Sequence, residues 1–515
     1  MNRYPLGIQT FEKIREENLF YVDKTDLIYN IVKGSQNNFL SRPRRFGKSL
    51  LVTTMQAYFE GKKDLFKGLA IEKLEKEWVK YPVIHIDLSS GKYYEVQRIM
   101  STLDFLLSRY ELKYDITPRD LSGFGDRFNN IIQTAAAQTG QKVVVLIDEY
   151  DAPMLDSNAK PELQEQIRSI MRDFFSPLKA NEGLLRFVFL TGITKFSQLS
   201  IFSELNNIKN YSLDDEFGAI CGFTQEEILS TFHEGIHEMA KANDLTTEQT
   251  VAKMKEQYDG YRFTPHCPNI YNPYSVLNAL HDKKFSNYWF ATGTPTFLLE
   301  LLIKNDIEMP QLEGIVATED QFDSPTDNIG NPIPVLYQSG YLTIKDYDEG
   351  IYTLGYPNEE VRMGLNRSML NYIAPQYGLK TTAFAAQFRA AMRKDDIDTA
   401  MKVLQSFLAA FPYDIHHNRE DYFQAILFTI FITLGFTIHA EVKTARGRID
   451  LLISTKTTIF VMELKIDQSA AKALKQIDAK DYILPYKHDG RRIFKVGINF
   501  STEKRTVDEW KYEEA

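Results

Sequence analysis

The segment Val143-Val144-Val145-Leu146-Ile147-Asp148-Glu149 limits the fold more than any other. Its apolar residues run without a polar break and stop at two acids. A strand with one face in water alternates, whereas a strand that is apolar throughout needs cover on both faces. Val83–Leu88 and Arg186–Thr191 read the same way. Between them lie helix-like stretches, Tyr94–Tyr110 and Pro161–Phe175. Strands alternating with helices predict an α/β fold with a parallel sheet over residues 1–220.

Another segment gives that sheet a purpose. Phe39-Leu40-Ser41-Arg42-Pro43-Arg44-Arg45-Phe46-Gly47-Lys48-Ser49 follows a short apolar run and opens a helix. Gly47-Lys48-Ser49 matches the distal half of the phosphate-binding loop pattern. Gly47 would let the backbone approach a phosphate, Lys48 would reach the β/γ-phosphates, and the Ser49 hydroxyl would meet Mg²⁺. The full pattern has glycine where Arg42 stands, so the tripeptide alone also reads as a turn with a solvated lysine. The acids after the apolar strand favour nucleotide. Asp148 would hold Mg²⁺ and Glu149 would polarise the attacking water. Thr191 or Thr194 would sense the γ-phosphate or merely cap a strand end. Arg44 and Arg45 would add phosphate contacts or stay exposed.

Composition narrows the classes further. The chain has 515 residues, which suits three or four domains. It is 43% hydrophobic and 25% charged, so wholesale disorder is excluded. Its formal charge of −9 excludes a globally basic nucleic-acid coat, though not a local basic surface. Cys221 and Cys267 are its two cysteines, too few for a disulfide framework or a cysteine-built zinc site, and this fits a reducing cytoplasm. Met1–Phe11 lacks the apolar stretch of a secretory signal. Phe423–Ala440 lacks charged residues, but its polar and β-branched members favour a buried helix running into a strand over a membrane span.

Residues 221–300 read as helical, with a capping start at Thr224-Gln225-Glu226-Glu227. Residues 301–400 read as a mixed linker domain. Its hairpin strands Tyr341–Ile344 and Ile351–Leu354 flank Asp346–Gly350, and residues 381–411 look helical. Residues 401–515 differ in charge. From Ala440 to Ala515 there are 15 Lys and Arg against 12 Asp and Glu, while the remainder carries 45 against 57. A separate module facing something anionic is expected there.

That module holds another site. Gly447-Arg448-Ile449-Asp450-Leu451-Leu452-Ile453 and Ile459-Phe460-Val461-Met462-Glu463-Leu464-Lys465 read as strands around a tight turn. A turn centred on Lys456-Thr457 makes opposed residue numbers sum to 913. Ser454 then faces Ile459 and Asp450 faces Glu463, with Cβ atoms about 5 Å apart. Glu463 and Lys465 are two apart and share a face. Asp450 and Glu463 could share a divalent cation, and Lys465 could orient a water, a set suited to phosphodiester hydrolysis.

Pro5-Leu6-Gly7-Ile8, Tyr21-Val22-Asp23-Lys24-Thr25, the loop from Arg42 to Ser49 and Ile147-Asp148-Glu149-Tyr150-Asp151 together resemble the bacterial AAA-ATPase-like family. Tyr258-Asp259-Gly260-Tyr261, Tyr271-Asn272-Pro273, Tyr337–Leu342 and Gly355-Tyr356-Pro357-Asn358 are similar to its later part. The resemblance implies a P-loop NTPase sheet of the AAA+ or STAND sort, a helical lid-like region, a winged-helix-like piece, and ATP with Mg²⁺ as cofactors. It also implies that arginine at position 42 is usual. The hairpin resembles the PD-(D/E)XK nuclease superfamily. That likeness implies an α/β nuclease-like domain, with Glu420 and Gln476 as auxiliary residues and nucleic acid, above all DNA, as partner. Ile449 stands where the superfamily's name has proline. A homo-oligomer is compatible with the resemblance. The expectation is a cytoplasmic, ATP-binding and ATP-hydrolysing protein with a Mg²⁺-dependent nuclease under nucleotide control. The alternative is an ATP-dependent switch whose nuclease-like domain binds nucleic acid without cutting. His233-Glu234-Gly235-Ile236-His237 matches a zinc-protease pattern, but Gly235 weakens the helix that pattern needs.

Overall fold

The computed structural model describes residues 4–116, 123–157, 160–195, 208–292, 296–305, 307, 309–324, 331–373, 378–408, 437–444, 447–504 and 506–515. Two compact units divide the chain, residues 1–292 with 314–360 and residues 293–313 with 361–515.

The first unit is built on β1 (Asn37–Ser41), β2 (Val83–Asp87), β3 (Val143–Asp148), β4 (Leu185–Gly192) and β5 (Lys209–Asn210). All pair in parallel, in the order β2-β3-β4-β1-β5. Every residue of β3 is buried, as its unbroken apolar run demands. Val145, Ile147, Val188 and Leu190 pack with Ile99, Leu103, Phe128 and Ile132 from the connecting helices. The strand order places the end of β4 between the ends of β1 and β3. The loop leaving β1 and the acids leaving β3 therefore flank Thr191. Helix α1 (Lys48–Phe59) follows that loop directly.

The expected strand Val143–Asp148 and helix Pro161–Phe175 have their expected limits. The helix foreseen over Tyr94–Tyr110 runs instead from Val96 to Lys113. Beyond the sheet, β6 (Phe223–Thr224) pairs with β7 (Ile270–Tyr271). Thr224 and Glu227 close the expected capping box on the helix Gln225–Thr231. Helix α2 (Pro273–Asp282) opens with Asn272 accepting from the Ser275 N–H. β8 (Ile315–Ala317), β9 (Thr343–Asp348) and β10 (Ile351–Gly355) form an antiparallel sheet in the order β8-β10-β9. Its hairpin turn is shorter than expected. Asp346 to Asp348 belong to β9, and only Glu349 and Gly350 turn, at φ +44° and +91°. Two successive positive-φ residues suit the twist of a tight hairpin.

Two motifs a hundred residues apart in the sequence meet in this unit. Gly260 has φ +94°, and a Cβ there would run into the Pro357 carbonyl. The Asn358 amide donates to the Asp259 carbonyl at 2.8 Å. Helix α3 (Glu359–Ile373) begins just after this clamp.

The second unit holds β11 (Thr437–Thr444), β12 (Gly447–Ser454), β13 (Thr458–Ile466), β14 (Arg492–Ser501) and β15 (Thr506–Glu514), paired in that order. Only β13 and β14 are parallel among these neighbours. Helix α4 (Ala470–Ala479) connects them and packs Leu474 and Ile477 onto Ile449, Val461 and Ile493. Helices Gly378–Arg393 and Ile397–Leu408 occupy most of the segment expected to be helical. Of the stretch Phe423–Ala440, residues 423–436 lie outside the described residues, and Thr437 begins a strand. Among the described residues no helix is long and apolar enough to cross a membrane.

Gly260→Ala should destabilise the first unit by about 3 kcal/mol, combining a positive-φ penalty with a backbone clash. Denaturant unfolding of the variant checks this.

Candidate functional site

The loop between β1 and α1 is held from outside itself. Arg42 is 2% exposed. Its guanidinium donates to the carbonyls of Ser41 and Ser212 at 2.9 Å and of Phe217 at 3.0 Å, and it lies over the Phe263 ring. Phe46 sits edge-on against Tyr261 and Phe263, and its carbonyl accepts from the Gly222 N–H at 3.1 Å. Between and after these anchors, Arg45 and Gly47 take φ +68° and +94°. Such reversals let successive N–H groups converge on an anion. Gly47 is required by its φ rather than by crowding, since a Cβ there would meet nothing within 4 Å.

Lys48 is buried. Its ammonium donates to the Arg42 and Pro43 carbonyls at 3.1 and 3.3 Å and pairs with Glu149 at 3.2 Å. Asp148 is 2% exposed and takes a hydrogen bond from Ser49. Burial pushes its carboxyl up to about 7, against the opposing pull of Ser49 and Lys48. The backbone N–H of Glu149 donates to Asp148 at 3.0 Å, and Glu149 itself adopts φ +51°. Gly47, Lys48, Ser49, Glu149, Arg44 and Arg45 all line one cavity of about 600 Å³. Arg44 is exposed. Arg45 is half-buried over the Tyr274 ring at 3.7 Å, and its Nη1 is buried without a hydrogen-bond partner. An orphaned cationic donor beside a glycine-opened loop suits a polyphosphate, and Ser49 with Asp148 supplies oxygens for Mg²⁺.

Thr191 stands beside these groups but is occupied. Its hydroxyl donates to the Leu40 carbonyl at 2.8 Å, stitching β4 to β1. Thr194 donates to Asp151. Asp151 is fully buried and also accepts the N–H groups of Ile193 and Thr194 at 2.9 and 2.7 Å. It locks the end of β3 to the end of β4. Its spacing from Asp148 gave no separate signal in the sequence.

In the second unit the hairpin register is the expected one. Ser454 faces Ile459 and Leu451 faces Met462. The described ladder stops there, one pair short of Asp450 and Glu463. The Asp450 carboxylate instead accepts the Leu464 N–H at 2.8 Å. β13 is buried on both faces, so Glu463 is 1% exposed rather than fronting water. Lys465 donates to the Leu464 carbonyl at 2.7 Å and to Glu463 at 3.4 Å. Gln476, on α4, also donates to Glu463. The other Glu463 oxygen, Oε2, is buried with no hydrogen-bond partner. Burial pushes this carboxyl well up, Asp450 pushes it further, and Lys465 opposes them. An orphaned carboxylate oxygen near a second carboxylate suits a hard divalent cation. Glu420 lies outside the described residues. His233 and His237 are both exposed, and among the described residues no three His, Cys, Asp or Glu side chains form a metal-ready group.

Residues 5–202 match the family model described as predicted AAA-ATPase, and residues 418–510 match that of the PD-(D/E)XK nuclease superfamily. A protein of Azotobacter chroococcum mcd 1, described as an uncharacterized protein in the vnfD 5′ region, is 32% identical over 98% of both chains. The chain belongs to the AAA-ATPase-like family and carries a C-terminal PD-(D/E)XK superfamily domain. Among solved structures, Aeropyrum pernix ORC2 shares 10% identity at a TM-score of 0.27, covering 67% of this chain and 94% of that one. Cdc6p of Pyrobaculum aerophilum shares 10% identity at 0.24, covering 70% and 94%. Likenesses of that order say nothing of activity.

In the AAA-ATPase-like unit one buried acid was invisible as a site residue. Glu360 is 1% exposed and accepts from the Ser275 hydroxyl and the Trp289 N–H, each at 2.7 Å. Burial pushes it up to about 7 against those hydrogen bonds and the Arg45 charge. A raised carboxyl pKa means the folded state binds more protons than the unfolded one between the two values. Stability therefore falls as pH rises from the unfolded value near 4.5 toward 7. Glu360→Gln should flatten that part of the stability curve, as denaturant midpoints between pH 4.5 and 8 would record.

Proposed function

We propose that this AAA-ATPase-like protein binds and hydrolyses ATP and cleaves phosphodiester bonds in nucleic acid, with nucleotide controlling the cleavage. The observation that carries the nuclease reading is the buried, partnerless Glu463 Oε2, on a carboxyl that feels the charges of Asp450 and Lys465. A buried anion with an open coordination position costs several kcal/mol unless a cation joins it.

At the phosphate loop, Lys48 would exchange its carbonyl partners for the β/γ-phosphates, and Arg44 and Arg45 would add charge. Ser49 and Asp148 would hold Mg²⁺. Glu149, freed from Lys48, would accept a proton from the attacking water. Thr191 already bonds to Leu40, so it would stiffen the strand end between loop and acids. At the hairpin, Asp450 and Glu463 would hold Mg²⁺, with Gln476 fixing the Glu463 rotamer. Bound Mg²⁺ supplies charge stabilisation at the phosphate and acidifies a water. Lys465 would orient that water. Local basic residues of the C-terminal domain, such as Lys472 and Lys475, would meet the backbone phosphates of DNA.

Plasmid and single-stranded substrates incubated with Mg²⁺, with and without ATP, test this. Cleavage by the parent protein is expected to drop by at least about 100-fold in Lys465→Ala, as for loss of a group acting in the transition state. ATP should change the parent rate and leave Lys48→Ala unaffected. Tight ATP binding with no cleavage of any substrate would replace the nuclease with a nucleotide-dependent switch that only binds nucleic acid.

A further inference from the structure

The phosphate loop is wired to the start of α3 through residues outside the cavity's chemistry. Arg44 offers its backbone carbonyl to the Trp289 indole N–H at 3.2 Å. The Trp289 backbone N–H donates to Glu360 at 2.7 Å. The other Glu360 oxygen accepts from Ser275 in α2, one residue from the Tyr274 that stacks on Arg45. Arg45 therefore reaches Glu360 twice, through space by its charge and through Tyr274-Ser275 along α2. Trp289 is held by Phe290 and Tyr341 at ring distances of 5.1 and 5.2 Å. The chain before Glu360 is clamped at Pro357 and Asn358. Glu360 is the last residue of the first unit, and α3 continues as Val361 of the second.

We propose that Trp289 and Glu360 form a relay that reads nucleotide occupancy of the phosphate loop and passes it to α3. The relay rests on the nucleotide reading above and names its route of control. A guanidinium stacked on a ring gains less than one that bonds directly to a phosphate oxygen. Arg45 has an orphaned Nη1 ready to make such a bond. Phosphate wins that competition, so an arriving polyphosphate draws Arg45 from Tyr274. The loop carbonyl at Arg44 shifts with it, and Trp289 carries the shift to the carboxylate that holds the first turn of α3. The two buried bonds to Glu360 make the link stiff rather than elastic.

Calorimetry and amide hydrogen exchange on the full chain test the relay together. Mg²⁺ with a slowly hydrolysed ATP analogue is the probe. In the parent protein the analogue should slow exchange in residues 359–373 by roughly threefold or more, a local-stability effect. Trp289→Phe keeps the aromatic packing and removes the indole donor. It should bind the analogue with a Kd within about twofold of the parent, yet show no exchange response in residues 359–373. Glu360→Gln, which keeps the shape of the side chain, should reduce the response as well. Absence of binding to the parent would overturn the nucleotide reading and the relay with it. Binding without an exchange response in the parent would overturn the relay alone, as would an undiminished response in Trp289→Phe.

Discussion

Both sites follow from one constraint, the cost of burying a carboxylate on a covered strand. β3 leads into Asp148 and Glu149, and β13 carries Glu463 two residues before Lys465. Water cannot reach Asp148 or Glu463 well enough to stabilise their charge, and each stands 2% exposed or less. The effective penalty for such a group is several kcal/mol. The chain answers with a lysine in each case, Lys48 against Glu149 and Lys465 against Glu463. Neither answer is complete. Asp148 is still pushed up to about 7, and Glu463 keeps an oxygen without a partner. A site whose charges are only partly balanced by its own side chains favours an incoming ion, and that bias is what the proposed chemistry uses.

The surrounding structure keeps those charges in place. Arg42 sits where a glycine would serve in the usual loop pattern, and its bonds to the Ser212 and Phe217 carbonyls pull the loop's entry onto the segment 212–217. Phe46 fixes the loop's middle between Tyr261 and Phe263. The loop can then afford two positive-φ residues without losing its shape. Farther out, Gly260 meets Pro357, and Asn358 donates to the Asp259 carbonyl. Motifs scattered from residue 42 to residue 358 therefore act on one region.

The hairpin register was legible because a short turn between two apolar runs leaves only one alignment that buries both. Thr455 closes that turn by bonding to Thr458. The strands of the first sheet were legible for a similar reason, since unbroken apolar runs have few alternatives. The face of Glu463 was not. Alternation along β13 separates Glu463 and Lys465 from Met462 and Leu464, but only the paired strands and α4 show that both faces are covered. The roles of Arg42, Asp151 and Glu360 depend on partners 40 to 175 residues away. No local pattern reports such partners. The β9–β10 turn was misplaced because Asp346 and Asp348 look like turn residues, while the positive-φ pair Glu349-Gly350 does the turning.

Calorimetric titration of Mg²⁺ into the metal-stripped, nucleotide-free protein shows whether the buried Glu463 oxygen holds a cation. The parent protein should show a binding event that Glu463→Gln abolishes while the variant stays folded. An unchanged Mg²⁺ isotherm in folded Glu463→Gln would contradict it, because the buried oxygen left without a partner would then have no part in holding a cation.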